Sequence, residues 1–254
     1  MKQVPGPLTF RDVLWLLERL SRIEGVILVG GQAVDCWCEH YLERSAALRA
    51  GGPYASKDVD LLASGPVVER IARELGGEFR VPEPFEPTPS AGVVRYRDPG
   101  GVERTLDVLR ELFGVAEEEA RDTAVEVTLI GPRDRFGFRV LHPGLCLESR
   151  ARNLVGLPGY DGDHARLQLR ASLICVTEVA RDLVRGRRPR PALRLFERVF
   201  RLADSRVGDE VVQRAGIEIL DAVAPLQGLP EDFRKIRYPR MRARIDSRRR
   251  RNRC

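Results

Sequence analysis

The stretch Val26-Ile27-Leu28-Val29-Gly30-Gly31-Gln32-Ala33 determines the fold that we expect for the first half of the chain. Four apolar residues followed by two glycines are typical of a short buried strand that ends in a tight turn. After the turn, Val34, Trp37, Cys38 and Tyr41 recur at the spacing of one helix face. The sequence therefore predicts a strand, a glycine turn and a helix, and free backbone N–H groups at such a helix start favour a phosphate.

Two carboxylates lie on the next predicted strand, which covers residues 57–63. Asp58 and Asp60 flank Val59, and the two-residue period of a strand puts both on one face, about 6.5–7 Å apart at Cα. Asp107 lies within the apolar stretch 105–109, where an unpaired acid is costly. Carboxylates this close repel each other unless a cation lies between them, and Mg²⁺ suits that position. Taken singly, the glycine pair is more often an ordinary strand-to-helix turn, and Asp58 and Asp60 are more often a solvated strand face than a metal site.

The other elements follow from hydrophobic periodicity and turn residues. We predict a helix of about fifteen residues after Thr9, a loop over 44–54, a helix from Ser64 to Leu75, an extended loop over 81–89, paired strands at 93–97 and 102–109, a helix over 111–121, strands at 124–130 and 138–141, and helices over 146–154, 163–185, 191–203, 209–223 and 231–245. The predicted fold class is α+β, a mixed sheet with flanking helices followed by a helical bundle. The predicted domains are 1–142, 143–233 and a basic C-terminal helix and tail at 234–254.

The composition is that of a globular protein, with 43% hydrophobic and 31% charged residues among 254. The longest apolar runs, 26–29 and 125–130, are far shorter than the roughly 20 residues of a membrane span. Residues 1–5 also lack the apolar core of a secretory signal. We therefore expect a cytoplasmic protein without membrane contact. The scattered cysteines predict buried thiols, at Cys36 and Cys38 above all, rather than disulfides or a zinc site.

Positive charge is concentrated at the C-terminal end. Eleven of the 43 Lys and Arg residues lie in 234–254, where Asp246 is the single acid. The rest of the chain has a slight excess of acids. Such a tail either binds phosphates, with an affinity that falls steeply in salt, or is simply solvated. The sequence leaves both interpretations open. If the tail binds phosphates, we expect them to be those of an RNA acceptor.

Three segments together resemble the DNA polymerase β-type nucleotidyltransferase superfamily. They are Leu28-Val29-Gly30-Gly31-Gln32-Ala33, Ser56-Lys57-Asp58-Val59-Asp60-Leu61 and Leu106-Asp107-Val108, and the resemblance covers roughly residues 10–140. The Gly-Gly-x-Ala opening and the helical second half look like the AbiEii-type toxin branch and, more distantly, the aminoglycoside nucleotidyltransferases. The implied fold is a nucleotidyltransferase-like mixed sheet. The implied reaction moves a nucleoside monophosphate from an NTP such as ATP to an acceptor and releases pyrophosphate.

The resemblance also implies a metal centre with two Mg²⁺ ions, which Mn²⁺ can replace. Asp58 and Asp60 would bind both ions, and Asp107 would bind the ion beside the acceptor hydroxyl or accept its proton. The Gly30-Gly31 pair would let the backbone approach the phosphates. Ser56 resembles the serine two residues before the first acid in the toxin branch, which implies a hydrogen bond to the γ-phosphate.

The chain departs from the toxin branch in its second half, where a lysine that binds the triphosphate is expected. No lysine lies between Lys57 and Lys235. Arg150 and Arg152 are the predicted replacements, since arginine supplies the same charge, although either also fits a solvated helix face. Lys57 itself is a further predicted nucleotide contact, and Arg44 is another candidate.

Three functions are consistent with these observations. The first is a nucleotidyltransferase that acts on RNA, such as the acceptor end of tRNA, as a toxin with an antitoxin protein partner. The second is nucleotidyl transfer to a small hydroxylated compound, as in the aminoglycoside enzymes. The third is a domain without catalysis that binds nucleic acid or a partner protein.

Overall fold

A computed structural model of the chain describes residues 6–83, 85–224 and 226–251. Its strands are β1 (Ile27–Val29), β2 (Val59–Leu62), β3 (Glu78–Arg80), β4 (Ser90–Arg97), β5 (Glu103–Leu109), β6 (Val125–Ile130) and β7 (Arg135–Val140). They form one sheet in the order β3-β4-β5-β2-β1-β7-β6. The sheet is mixed, because β2 runs parallel to β5 and antiparallel to β1 while β1 runs parallel to β7.

Helices flank this sheet and form the second half of the chain. They are α1 (Phe10–Leu20), α2 (Gly30–Tyr41), α3 (Ala46–Gly51), α4 (Gly65–Leu75), α5 (Glu117–Thr123), α6 (Pro143–Gly156), α7 (Asp163–Arg185), α8 (Pro189–Ala203), α9 (Arg206–Ala215) and α10 (Tyr238–Arg251). The predicted α+β class is confirmed. No helix among the described residues is long and apolar enough to cross a membrane.

Strand β2 is an inner strand, whereas the alternation of charged and apolar residues over 57–63 predicts a half-exposed one. It lies between β1 and β5, and its apolar residues Val59, Leu61 and Leu62 are buried. Asp60 is the one residue of β2 that stays partly exposed. The carboxylate therefore projects from the middle of the sheet rather than from a solvated edge.

Several predicted boundaries are wrong because of local capping. The predicted loop 44–54 contains α3, whose first turn is capped by Ser45 accepting a hydrogen bond from the Leu48 amide. The predicted helix 111–121 is confined to α5, after Gly114 at a φ of 70°. The predicted helix 209–223 ends with α9, because Gly216 adopts the left-handed conformation that closes a helix. Strand β3, exposed throughout, was not predicted.

Other helix boundaries agree closely with the sequence-based predictions. Thr9 and Asp12 form a capping box at the start of α1, Ser64 precedes α4, and His142 accepts a hydrogen bond from the Gly144 amide at the start of α6. Helix α7 has the predicted bounds. Across the described part of 81–89, which omits residue 84, there is no helix or strand.

The buried apolar side chains form two clusters. The first runs from Leu8 to Cys146 on both faces of the sheet and also takes in Ala171 and Cys175 of α7. The second lies among the helices from Leu147 to Ile245. Helix α7 contributes to both clusters and packs along α2. The long helix therefore joins the sheet to the helical part, and the three-domain division stays a prediction. Cys36, Cys38, Cys146 and Cys175 are free and buried, as expected, whereas Cys254 lies outside the described residues.

The basic C-terminal segment is largely docked onto the chain. Arg248 pairs with Asp204 and Asp209 at 2.9 and 2.5 Å, and Arg249 pairs with Asp209 and Glu218 at 3.0 and 2.5 Å. Three more of its cations pair with acids, namely Lys235, Arg237 and Arg244. Residues 252–254 lie outside the described part. About half of the predicted free charge is therefore compensated within the chain.

We expect Arg249→Ala to lower the free energy of unfolding by about 1–3 kcal/mol, because the partly buried carboxylates of Asp209 and Glu218 would lose their charge-assisted hydrogen bonds. The Arg249 side chain is only 10% exposed. Arg250→Ala is the matched control, since Arg250 is exposed. Urea unfolding measures both, and equal stability of the two variants would contradict the docking of α10.

Candidate active site

The glycine turn after β1 lies directly against the first inner-strand carboxylate. Asp60 of β2 pairs with Val29 in the antiparallel register, so its side chain emerges beside the start of α2. Gly30 has a φ of 65°, and a Cβ on it would fall 2.7 Å from Asp60 Cγ. No side chain caps the N-terminus of α2, which leaves its first amide groups available to a ligand. A carboxylate and a helix start thus converge at one place.

The second inner-strand carboxylate lies beside the first. Asp107 of β5 pairs with Asp60 in the parallel register, and both side chains are partly buried. Paired residues of neighbouring strands project on the same face about 5 Å apart. Asp58 is exposed and lies one residue before β2 begins, so it does not belong to the strand as predicted.

The electrostatics of this group show uncompensated negative charge. The pKa of Asp60 is raised to about 6, chiefly by burial; the charge of Arg150 opposes the rise, and the charges of Asp107 and Asp58 contribute to it. Burial also raises the pKa of Asp107, and the charge of Asp58 adds to that effect. Three carboxylates therefore influence one another, as expected of a site that takes up a cation.

The fit of this group to Mg²⁺ depends on the ligand set required. Within the described ranges, no three His, Cys, Asp or Glu side chains converge on one point as a complete metal site. Mg²⁺ in phosphoryl-transfer sites is commonly held by one or two carboxylates together with substrate phosphates. Asp60 and Asp107 meet that requirement through their neighbouring register positions. The chain thus supplies part of the ligand set, and a bound triphosphate would supply the rest.

Arg150 is the predicted arginine that the structure places near the carboxylates. It stabilises the charged form of Asp60, and its Nη1 donates to Gln168 Oε1 at 3.2 Å. Gln168 Nε2 in turn donates to Ser56 Oγ at 2.8 Å. A Cβ on Gly31 would fall 2.6 Å from Gln168 Nε2, so the second glycine makes room for this chain of hydrogen bonds. Arg150, Gln168 and Ser56 therefore form one polar network beneath the start of α2.

Asp35 belongs to the same network, although the sequence analysis did not identify it. It is 2% exposed, and neither carboxylate oxygen meets the geometry of a hydrogen bond even though the Ser56 hydroxyl lies beside it. Gln32, one turn earlier, donates to the Leu8 carbonyl at 2.9 Å but has an unpartnered Oε1. A signal was present: Asp35 is an acid among the apolar residues of a helix that begins with the glycine pair.

The other predicted contacts lie in different positions. Lys57 is exposed. Burial of His164 is the main cause of its lowered pKa, and the charges of Arg150 and Lys57 lower it further. Arg152 pairs with Glu148 at 2.8 Å and passes over Gly114, away from Arg150. The structure thus brings together Gly30, Gly31, Ser56, Asp58, Asp60, Asp107 and Arg150, with Lys57 at the edge and Arg152 apart. Arg44 pairs with Asp182 at 3.1 Å.

We expect Asp35→Asn to stabilise the protein at pH 8 and to lose this advantage as the pH falls. The pKa of Asp35 is raised to about 7, because the effect of burial exceeds the lowering effects of the Ser56 hydroxyl and the Arg150 charge. The ionised form is therefore unfavourable in the folded chain above about pH 7, and the penalty disappears below the ordinary pKa of 3.8. We expect a gain of about 1–3 kcal/mol, because the asparagine amide also needs partners.

Urea unfolding between pH 5 and pH 8 measures this effect, with Asp232→Asn as the control. Asp232 is exposed, and its side chain does not cap the helix that follows it. Comparison of the two variants at each pH cancels the titration of the histidines. A difference that does not change with pH would contradict an ionised, buried Asp35.

Comparison with known proteins gives one distant structural likeness. No family model matches the chain, and no curated protein matches its sequence. A solved structure of an antigenic nucleotidyltransferase-like protein from Paracoccidioides brasiliensis shares 16% identity with a TM-score of 0.43, over 66% of this chain and 78% of that chain. A likeness at this level assigns no function to the chain.

Proposed function

We propose that the chain is a metal-dependent nucleotidyltransferase that moves a nucleoside monophosphate from an NTP to an acceptor hydroxyl. The observation that carries this proposal is the meeting of Asp60 and Asp107 at paired positions of β2 and β5, with Asp60 against Gly30 at the uncapped start of α2. Carboxylates next to a phosphate-binding helix start are the requirements of this chemistry.

Each residue of the group has a task that its position supports. Asp60 and Asp107, with Asp58 beside them, would hold Mg²⁺, which neutralises charge on the triphosphate and on the departing pyrophosphate. The first amides of α2 bind phosphate oxygens. Arg150 adds positive charge behind them, and Asp107 would hold the ion beside the acceptor hydroxyl or accept the proton of that hydroxyl.

Ser56 is held ready to donate to a phosphate. Its Oγ accepts a hydrogen bond from Gln168, so the hydroxyl proton remains free to point elsewhere. Asp35 and a phosphate oxygen are the two acceptors that compete for this proton. The Ser56 hydroxyl thus connects the buried acid to the nucleotide site.

We propose RNA as the acceptor, and a toxin paired with an antitoxin protein as the biological setting. The excess of arginine supports a polyanionic acceptor. A small hydroxylated compound is the alternative acceptor, and a binding domain without catalysis is the alternative function. The identity of the labelled acceptor separates the first two, and a wild type that labels neither acceptor would favour the binding domain.

The experiment is a transfer assay with the four NTPs, each labelled in the α-phosphate, in the presence of Mg²⁺. Total RNA and a panel of aminoglycosides are offered as acceptors to wild type, Asp60→Asn and the control Asp232→Asn. We expect label in RNA from wild type and Asp232→Asn and none from Asp60→Asn. Label in the small compounds alone would show that the acceptor is a small hydroxylated compound rather than RNA. Equal transfer of label by Asp60→Asn would refute the assignment of Asp60 to the active site.

A further inference from the structure

A second concave site lies at the far end of α2 from the carboxylates. A cavity of about 1010 Å³ opens between the C-terminal part of α2, α5, the start of α6, the end of α7 and α8. Apolar side chains of Trp37, Leu145, Val179 and Leu195 line it, and arginines of α8 and the preceding turn lie around them. We call this cavity and its arginines the α8 groove.

The acids that line the α8 groove are already paired. Asp182 pairs with Arg44 at 3.1 Å, Glu197 pairs with Arg237 at 3.4 Å, and Glu119 pairs with Arg198. Their negative charge is therefore compensated before any ligand arrives.

The other arginines of the α8 groove have no such compensation. Arg188, Arg194 and Arg201 line the cavity and are exposed, and no described carboxylate forms an ion pair with any of them. Arg187 and Arg190 are also exposed and have no acidic partner in the described chain. Arg187 lies in the turn before α8, and Arg190 lies in the first turn of that helix. The groove thus carries a concentrated positive charge that the chain itself does not neutralise.

Helix geometry aligns Arg194 and Arg201 with Arg190, whereas Arg188 lies at the N-cap of the same helix. Arg190, Arg194 and Arg201 are spaced by four and seven residues, which places them along one face of α8. A row of guanidinium groups beside an apolar cavity matches a chain of phosphates with an unstacked base between them. Helix α10 repeats this spacing at Arg240, Arg244 and Arg251, but Arg244 pairs with Asp204 and none of the three lines the α8 groove.

We propose that the α8 groove binds the body of a single-stranded RNA acceptor, with phosphates on Arg188, Arg194 and Arg201 and a base against the apolar lining. This inference rests on the proposed function, which it deepens by placing the acceptor. Trp37 and Tyr41 line the groove, and they lie about 10 and 16 Å from Gly30 along the axis of α2 at a rise of 1.5 Å per residue. An RNA strand that contacts both places also offers phosphates to the arginines of the groove, whereas a small hydroxylated compound offers none.

The test compares two triple variants of the full chain. Arg188→Ala, Arg194→Ala and Arg201→Ala are combined in the groove variant, and Arg240→Ala, Arg250→Ala and Arg251→Ala in the tail variant. The tail arginines are also exposed. Binding of a fluorescent single-stranded RNA is measured by anisotropy over a range of NaCl concentrations, and circular dichroism checks that both variants are folded.

We expect the groove variant to bind RNA at least about tenfold more weakly, with a log–log salt slope smaller by about 2, since each lost phosphate contact contributes about 0.7. The tail variant should bind within about twofold of wild type. RNA binding retained by the groove variant would leave the groove to another anionic partner and overturn the proposal, as would a wild type that binds no RNA. The Mg²⁺-dependent binding of NTP is measured on the same samples, so failure of the nucleotide site and failure of the groove are distinguished.

Discussion

Replacement of Asp60 by Asn is expected to lower the rate of nucleotidyl transfer by about 10³-fold or more while leaving the protein folded and more stable. The rate falls because the amide cannot hold a divalent cation between the paired strands, and removal of one well-placed electrostatic group commonly costs this much. Stability rises because burial raises the pKa of Asp60 to about 6 from its ordinary 3.8. The ionised carboxylate therefore destabilises the metal-free fold at neutral pH by up to about 3 kcal/mol.

The opposite signs of the two effects make the prediction specific. A residue that only supports the fold would lose stability and activity together. Transfer assays and urea unfolding are carried out on Asp60→Asn, Asp107→Asn and the exposed control Asp232→Asn at pH 7.5. A destabilised Asp60→Asn with activity in proportion to its folded fraction would assign Asp60 a structural role.

Alanine in place of either glycine of the turn is expected to reduce both stability and nucleotide binding. At Gly30 the φ of 65° is unfavourable for alanine, and the Cβ would overlap the Asp60 carboxylate. At Gly31 the Cβ would displace Ser56 Oγ and Gln168 Nε2, which breaks the polar network. We expect each variant to lose about 2–4 kcal/mol of unfolding free energy.

Gly65→Ala is the matched control for both glycine variants. Gly65 opens α4, and a Cβ on it would meet nothing within 4 Å. This variant should keep wild-type stability or gain slightly, since alanine restricts the unfolded chain. Unfolding by urea and binding of NTP with Mg²⁺ are measured on all three. Unchanged nucleotide binding by Gly30→Ala would show that the glycine turn is not part of the nucleotide site.

The elements that form the sheet could be predicted because their signals are local. The apolar run before Gly30, the alternation around Asp60 and the turn residues before β5 each depend on neighbours in sequence. Asp60 was singled out as one of the two acids that flank Val59, and Asp107 as an acid in apolar surroundings; the parallel pairing of β2 with β5 brings them together. Burial of β2 on both faces was missed, because alternation alone does not show whether a strand is central.

The polar network beneath the site could not be predicted from local patterns. Gln168 lies on α7, 112 residues from the serine to which it donates, and neither residue type is unusual in its own segment. Arg150 and Arg152 appeared equivalent in sequence, yet a two-residue separation on a helix directs them to different sides. Charge composition alone likewise did not show that Arg248 and Arg249 are paired with acids while Arg188, Arg194 and Arg201 of the α8 groove have no described acidic partner.

Asp60, Asp107 and the start of α2 are proposed to bind a metal–nucleotide complex. Thermal unfolding with each NTP, with and without Mg²⁺, tests this binding most directly, because the acceptor need not be known. A ligand at about 100 times its dissociation constant adds roughly 2.7 kcal/mol of stability, which raises the melting temperature by several degrees. We predict a shift with at least one NTP that requires Mg²⁺, persists in Asp232→Asn and disappears in Asp60→Asn. No shift with any NTP, or a shift of equal size in Asp60→Asn, would contradict the claim.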